Sequence, residues 1–226
     1  MDALLTLRTV PLFNGLPEEQ LEAIAEKASF KRYKSGEHVA LESDHVRAFF
    51  LVISGRVKIY KSSAEGKEQT MYIFGSGEPF CLRTAFADEP FPANAQALED
   101  SLVLAVPSSQ MEKLAKTQPT LMFNMVTVLS RRLKESMQLV ESLALKEIPE
   151  RLAAFILHTL DLSGRGEAKD LTLDITQREL AKILGATPET LSRVLKRLAE
   201  DGIIGIKGRT ILIHDRQALE ELADWF

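Results

Sequence analysis

The chain has 226 residues, of which 45% are apolar and 27% are charged. This composition is typical of globular proteins and excludes disordered and fibrous classes. The length predicts about two domains of moderate size. The single cysteine excludes an internal disulfide framework, a cysteine-rich zinc site and a four-cysteine iron–sulfur cluster within one chain.

The net charge of −4 gives no overall sign of a nucleic-acid partner. Residues 176–213 differ, because they carry seven Lys or Arg against four Asp or Glu, an excess of three positive charges. No window holds the ~18 apolar residues that a membrane span needs. Residues 1–8 contain an acid where a secretory signal would be basic. We therefore expect a cytoplasmic protein with no membrane partner.

The N-terminal part predicts a helix followed by a β-rich domain. Over residues 17–28, Leu21 and Ile24 lie on one helical face, and Pro17 suits the first helical position. From residue 30 to residue 106, short β-prone runs alternate with glycines, a spacing typical of an antiparallel barrel or roll. We assign residues 1–107 to this N-terminal domain.

A long helix is predicted after Pro107. Its apolar residues step by four and three positions, as in the seam of a coiled coil. The seam consists of Met122, Val126, Leu129, Leu133, Met137, Val140 and Ala144. This spacing favours parallel pairing with a second copy of the chain, and the alternative is a helix packed on its own domain. We place the dimerisation helix at 108–148, because Pro149 disfavours helix at Ile148.

The remaining segment, 149–226, contains signals for two short helices. Thr176 with Glu179 fits a capping box at the start of the first helix, and Gly185 suits the left-handed residue that ends it. Thr187 then caps a second helix, with Pro188 at its first position. This arrangement predicts a helix-turn-helix.

A β-hairpin with a basic tip follows the second helix. Two apolar runs, 203–206 and 210–213, flank Lys207-Gly208-Arg209. A basic tip can contact phosphate. We interpret this hairpin as the wing of a winged helix-turn-helix.

The second helix has an apolar stripe and a polar face that suits base recognition. We predict base contacts by Glu189, Ser192 and Arg193. Phosphate contacts are predicted for Thr176, Arg178, Thr187, Thr190, Lys196, Arg197, Lys207 and Arg209. The alternative is a helical hairpin whose charged face is merely solvated.

Residues 177–213 resemble the DNA-binding domain of the cAMP receptor protein and fumarate–nitrate regulator (Crp/Fnr) superfamily. The resemblance covers the whole chain, including residues 52–57 of the roll, Val-Ile-Ser-Gly-Arg-Val. Residues 189–193 are similar to the Glu-x-x-Ser-Arg pattern of the fumarate–nitrate branch. The cAMP receptor has Arg where Pro188 stands and Gly where Ser192 stands, so its sequence preference is not carried over.

This resemblance implies an α+β fold with an N-terminal, cyclic-nucleotide-binding-like β-roll, a long dimerisation helix and a C-terminal winged helix-turn-helix. It implies a homodimer that regulates transcription, binds an inverted-repeat operator containing TTGA or a close relative, and contacts RNA polymerase. It also implies that a small effector binds the roll.

The effector site departs from the cyclic-nucleotide pattern. Members that bind cyclic nucleotides carry Phe-Gly-Glu-Leu and then Arg-Ser/Thr-Ala, whose Glu and Arg bind ribose and phosphate. This chain has Phe-Pro-Ala-Asn at 91–94, and the first motif is replaced by Phe80, Cys81, Leu82 and Arg83. We therefore predict a pocket at residues 80–83 for an effector other than cAMP.

Haem is one candidate cofactor. Phe80-Cys81 resembles the haem-containing, CO-sensing branch, although that branch has His where Arg83 stands. The alternative is that Cys81 is a small buried apolar residue. The four histidines show no i, i+4 metal spacing, so we predict no metal site.

Other classes of function remain as alternatives. An enzyme or transporter subunit would need a catalytic constellation, and no phosphate-binding loop, nucleophile elbow or metal pair is visible in the sequence. We therefore predict no catalytic residues and no iron–sulfur cluster. An effector-independent DNA-binding dimer and a cyclic-nucleotide-responsive regulator with a divergent pocket both stay open.

Overall fold

The computed structural model describes residues 2–81, 90–162 and 168–223. Its backbone contacts divide the chain into two compact units. The first contains Met1–Glu65 and Met71–Glu135, and the second contains Gly66–Thr70 and Ser136–Phe226. The domain limits that the sequence predicts, after residues 107 and 148, stay predictions.

Short helical segments open the first unit: α1 (Ala3–Arg8), a 3-10 helix (Pro11–Phe13) and α2 (Glu18–Lys27). Asp2 caps α1 by accepting a hydrogen bond from the Leu4 backbone N–H at 2.9 Å. Helix α2 is the predicted amphipathic helix, with Leu21 and Ile24 buried. Pro17 occupies its N-cap rather than its first helical position.

The β-rich part of this unit is a roll of two four-stranded sheets, with strand orders β1-β8-β3-β6 and β2-β7-β4-β5. The pairings of β1 with β8, β3 with β8 and β4 with β7 are antiparallel. The strands are β1 (Ser29–Tyr33), β2 (His38–Ala40), β3 (Ala48–Ser54), β4 (Val57–Ser62), β5 (Glu68–Phe74), β6 (Pro79–Phe80), β7 (Asn94–Ala97) and β8 (Ser101–Pro107).

Strand β3 is buried on both faces. Phe49 and Leu51 pack against the cluster formed with the N-terminal helices, whereas Phe50 and Val52 face the interior of the roll. A strand covered on both sides is a continuous apolar run rather than an alternating one. This explains why residues 49–53 carry no polar side chain.

The predicted single helix after Pro107 is two helices, α3 (Ser108–Thr117) and α4 (Pro119–Leu145). Gln118 separates them with φ −122° and ψ 90°, because the ring of Pro119 disfavours helical backbone at the preceding residue. Pro149 acts differently. It is the second residue of α5 (Ile148–Leu162), where a missing N–H costs nothing, and α4 ends before it.

The second unit contains a small sheet of order β10-β11-β9 and further helices. Its elements after α5 are β9 (Asp170–Thr172), α6 (Gln177–Ile183), α7 (Pro188–Glu200), β10 (Ile204–Lys207), β11 (Thr210–Ile213) and α8 (Arg216–Ala223). Its core joins Ile156, Leu180, Leu195, Ile211 and Leu219, all buried. The predicted α+β fold is therefore confirmed. In the described ranges, no helix is both long and apolar enough to cross a membrane.

Candidate nucleic-acid interface

The first helix of the predicted helix-turn-helix is α6, and its ends follow the sequence signals. The Thr176 hydroxyl accepts a hydrogen bond from the Glu179 backbone N–H at 3.2 Å. Gly185 has φ +67° and continues the chain into the turn. A Cβ atom at Gly185 would lie 2.9 Å from Cδ2 of Leu143. Glycine is therefore favoured at this position by its backbone conformation, and a larger residue would also require the Leu143 side chain to shift.

The second helix, α7, is fixed at its start and along one side. The Thr187 hydroxyl accepts a hydrogen bond from the Thr190 backbone N–H at 3.2 Å, and Pro188 is the first helical residue. Leu191, Leu195 and Leu198 are buried at helical spacing, so the opposite face turns outward. The residues exposed there are Glu189, Ser192, Arg193, Lys196 and Arg197.

The first two turns of α7 combine a fixed acceptor and a fixed donor. Hydrogen bonds from its own backbone N–H and from the Thr187 hydroxyl lower the pKa of Glu189, and the Arg193 charge lowers it further. Glu189 is therefore ionised at neutral pH. Arg193 lies one turn later, and its Nη2 donates to the Thr190 hydroxyl at 3.3 Å. This local bond orients the Arg193 side chain toward the first turn of α7, which contains Glu189.

The hairpin predicted as the wing is formed by β10 and β11, with Lys207 opposite Thr210. Gly208, at φ +62°, makes the tight turn. The hydroxyls of Thr172 and Thr210 lie 3.0 Å apart and tie the hairpin to β9. The basic side chains at the tip, Lys207 and Arg209, are exposed.

The other predicted phosphate ligands are also accessible. Lys196 and Arg197 are 78% exposed and face Glu200 and Asp201 at 3.6 Å and 3.8 Å. Exposed pairs of this kind contribute little, so both cations can exchange the carboxylate for a phosphate. Arg178 is exposed, as are Thr176 and Thr187 at the starts of α6 and α7. Thr190 is half-buried.

Lys182 does not belong to this exposed basic surface, although it lies in the base-rich segment. Its ammonium is 2.7 Å from a Glu68 carboxylate oxygen and 2.9 Å from a Glu179 oxygen. Burial alone would lower the pKa of Lys182, but the hydrogen bonds to these two acids outweigh burial and raise the pKa. The positive charge counted from the sequence therefore overstates the exposed charge.

Helix α4 has two separate apolar faces. Leu121 and Met125 are buried in the first unit. Six residues of the predicted seam are each between 42% and 66% exposed, namely Met122, Val126, Leu129, Leu133, Met137 and Val140. Packing of the helix on its own domain accounts for the first face and leaves the second uncovered. A continuous exposed apolar stripe indicates an interaction surface.

The residues predicted for the effector pocket lie in the interior of the roll where they are described. Phe80 is 2% exposed, and its ring centre lies 5.1 Å from that of Phe50 and 5.5 Å from that of Phe74. Cys81 is half-buried beside this cluster and has φ +61°. Outside the described residues lie the other two, Leu82 and Arg83.

Comparison with known proteins identifies the two parts of the chain. Residues 30–118 match the model of the cyclic nucleotide-binding domain, and residues 150–222 match that of the Crp-like helix-turn-helix domain. The chain is 30% identical over 213 residues to the Cyclic AMP receptor protein of Thermus thermophilus, which covers 94% of this chain and 96% of the relative. The chain belongs to the Crp/Fnr family. It is a DNA-binding transcription regulator of that type.

Two further comparisons agree with this assignment. The Fumarate and nitrate reduction regulatory protein of Escherichia coli is 30% identical to this Crp/Fnr regulator over 207 residues, covering 91% of this chain and 82% of the relative. The solved structure of a CooA variant from Carboxydothermus hydrogenoformans aligns with a TM-score of 0.79 and 27% identity, covering 96% of this chain and 97% of that one. The family consists of transcription regulators, not enzymes, and its members bind DNA as dimers.

Proposed function

We propose that this Crp/Fnr regulator pairs through the seam of α4 and reads an inverted-repeat operator with the polar face of α7. That face carries the proposal, because Glu189, Ser192 and Arg193 stand exposed on a helix whose other side is buried. Arg193 offers two donors that match guanine O6 and N7, and ionised Glu189 can accept from a cytosine N4 amino group. Ser192 would touch a neighbouring base.

Phosphate contacts would set the position of the protein on DNA without specifying the sequence. They are assigned to Thr176, Arg178, Thr187, Thr190, Lys196, Arg197, Lys207 and Arg209. The wing tip supports this assignment most directly, because Lys207 and Arg209 project from a hairpin held by β9. At its operator the dimer would act in the cytoplasm and contact RNA polymerase.

Selection of binding sites from random DNA tests the operator. The purified protein should enrich an inverted repeat of TTGA or a close relative, with half-sites about one helical turn apart. A single unrepeated site, or no enriched sequence, would contradict the proposed dimeric recognition.

The effector, in this proposal, is a small molecule other than cAMP. At position 94, near the place of the phosphate-binding Arg of cyclic-nucleotide members, Asn94 uses its side-chain oxygen to accept a hydrogen bond from the Glu42 backbone N–H at 3.1 Å. Arg132 lies 4.6 Å from the Phe74 ring centre, and its guanidinium is bound by Glu78 at 2.8 Å and by Glu135 at 2.7 Å. A cyclic phosphate would have to displace these carboxylates to use Arg132.

Calorimetry with cAMP should therefore show no specific, tight binding, because the Glu and Arg of the cyclic-nucleotide motifs do not stand at their places in this sequence, and a buried phosphate that lacks its usual partner is strongly disfavoured. The control is DNA affinity measured with and without cAMP, which should not change. A micromolar dissociation constant together with a rise in operator affinity would overturn the prediction and favour a cyclic-nucleotide regulator with a divergent pocket.

Haem is the effector candidate that one measurement can decide. Cys81 supplies a thiol at the edge of an aromatic interior, a setting that fits one axial ligand of haem. The visible absorption spectrum of purified protein with added haem, and then with CO or nitric oxide, tests this candidate. A spectrum identical to that of free haem excludes it.

A further inference from the structure

We infer that Arg151 is a positioning residue, which fixes the helix-turn-helix to the end of α4 and thereby sets the half-site spacing that the dimer accepts. The inference rests on the proposed dimer and its inverted-repeat operator. Arg151 lies near the start of α5, away from the residues assigned to DNA.

The Arg151 guanidinium is bound by four backbone carbonyl oxygens. Its Nε donates to the carbonyls of Ser142, at 3.1 Å, and Lys146, at 2.9 Å. Its Nη2 donates to the carbonyl of Leu143 at 2.8 Å. Its Nη1 donates to the carbonyl of Leu184 at 2.9 Å. One side chain therefore joins the end of the long helix to the turn of the helix-turn-helix.

Two of these carbonyls, those of Leu143 and Leu184, lie at helix ends, where helix geometry leaves carbonyl groups without helical partners. The Ser142 carbonyl also accepts a hydrogen bond from the Lys146 backbone N–H at 3.1 Å. The last turn of a helix has free carbonyl groups and a partial negative charge, and both favour a cation. Ser142 and Leu143 lie in the last turn of α4, and Leu184 is the C-cap of α6. Arg151 satisfies both helix ends at once. The planar fork of Arg has five N–H donors, whereas Lys has one nitrogen and cannot span both ends.

The packing beside Arg151 is tight. A Cβ atom at Gly185 would lie 2.9 Å from Leu143 and 3.2 Å from Arg151 Nη1. The turn between α6 and α7 thus contacts the end of α4 directly. Lys146 adds a separate link, because its ammonium donates to the Ala223 carbonyl at 2.6 Å. The contacts of Arg151 and Gly185 therefore attach the helix-turn-helix to the end of α4, whereas the Lys146 bond goes to α8.

This attachment has a consequence for DNA recognition. In the proposed dimer the seam fixes the two α4 helices, and Arg151 fixes each helix-turn-helix to its own α4. The separation and twist between the two α7 helices are then set by the protein. One added base pair moves a half-site by about 3.4 Å and turns it by about 35°. With a firm attachment, the dimer should bind an operator of altered spacing weakly. With a loosened attachment, it should bind the altered and the selected spacing with more similar affinity.

The test compares three operators: the inverted repeat that the wild-type protein selects, and the same repeat with one base pair added or removed at its centre. For Arg151→Met, which removes all four bonds, affinity for the selected spacing should fall about tenfold, because each helix-turn-helix is then no longer held in the position that this spacing requires. Affinity for the altered spacings should fall less, so the preference for the selected spacing shrinks. Selectivity for the bases within each half-site should stay as in the wild type.

Lys146→Met is the matched control. It removes a neighbouring cation and its bond to Ala223 but leaves all four Arg151 bonds in place. Its spacing preference should equal that of the wild type. Arg151→Lys keeps the charge without the fork and should give an intermediate preference. It also carries the test if Arg151→Met fails to fold, which thermal unfolding and stoichiometric DNA titration will show.

An equal loss of affinity for all three operators would mean that Arg151 only stabilises the fold, and would overturn the inference. Failure of the proposed function looks different, because the wild-type protein itself would then show no inverted repeat or no spacing preference. A wild-type preference that Arg151→Met and Arg151→Lys both retain contradicts the positioning role alone.

Discussion

Replacing Leu133 with lysine should dissociate the dimer. Leu133 is 63% exposed in the single chain and lies in the middle of the seam. In a parallel coiled coil each seam residue lies close to its own copy, so one substitution removes two buried leucines and brings two ammonium groups together. At about 2 kcal/mol for each leucine, the loss is about 4 kcal/mol, or roughly a thousandfold in the dimer dissociation constant.

Sedimentation and operator binding at the same protein concentrations check this expectation. Gln138→Lys is the matched control, because it places the same charge on an exposed position of α4 on the side away from the seam. This control should remain a dimer. If Leu133→Lys also sediments as a dimer and binds the operator normally, the two chains pair through another surface.

The helix-turn-helix could be predicted from sequence because its signals are local. The hydroxyls of Thr176 and Thr187 each accept the backbone N–H of the residue three positions on. Gly185 has the left-handed backbone that ends a helix. Each of these signals depends on a few neighbouring residues, so tertiary contacts had little opportunity to override them. The same holds for the roll, whose short β-prone runs and intervening glycines are also local signals.

The sequence contains the cause of the break between α3 and α4, although one continuous helix is predicted there. The same rule that predicts an interruption before Pro149 applies to Gln118, which precedes Pro119. The seam periodicity begins only at Met122, after this proline, so it carries no information about the break. At Pro149 the rule predicts an interruption at Ile148, but Ile148 is helical, because a proline in the first turn of a new helix is tolerated.

Contacts between distant parts of the chain were beyond the sequence signals. By sequence, Lys182 is one of the seven basic residues of the DNA-binding segment, but Glu68, far earlier in the chain, binds its ammonium. Arg151 gave no signal of its own, because its partners are backbone carbonyls, which every residue has. A cation soon after a helix end does suggest that it caps free carbonyls. Which carbonyls it reaches depends on how α4, α5 and α6 pack.

Replacing Arg193 with alanine should lower operator affinity by about 1–3 kcal/mol and relax selectivity at one guanine of each half-site. The reason is geometric, because Arg193 stands exposed on the second turn of α7 and can offer two donors to guanine O6 and N7. Lys207→Ala and Arg209→Ala are the controls. They remove exposed cations from the wing tip, so they should weaken binding to all sequences alike.

Each variant should be measured against operators substituted at every position, at one fixed salt concentration, because phosphate contacts make absolute affinities depend on salt. The pattern across positions decides the assignment more than the size of the loss. For Arg193→Ala, substituting the guanine should cost little further affinity, whereas substitutions elsewhere should cost as much as in the wild type. Equal loss of affinity for every operator would make Arg193 a phosphate ligand, and base recognition would then rest on Glu189 and Ser192.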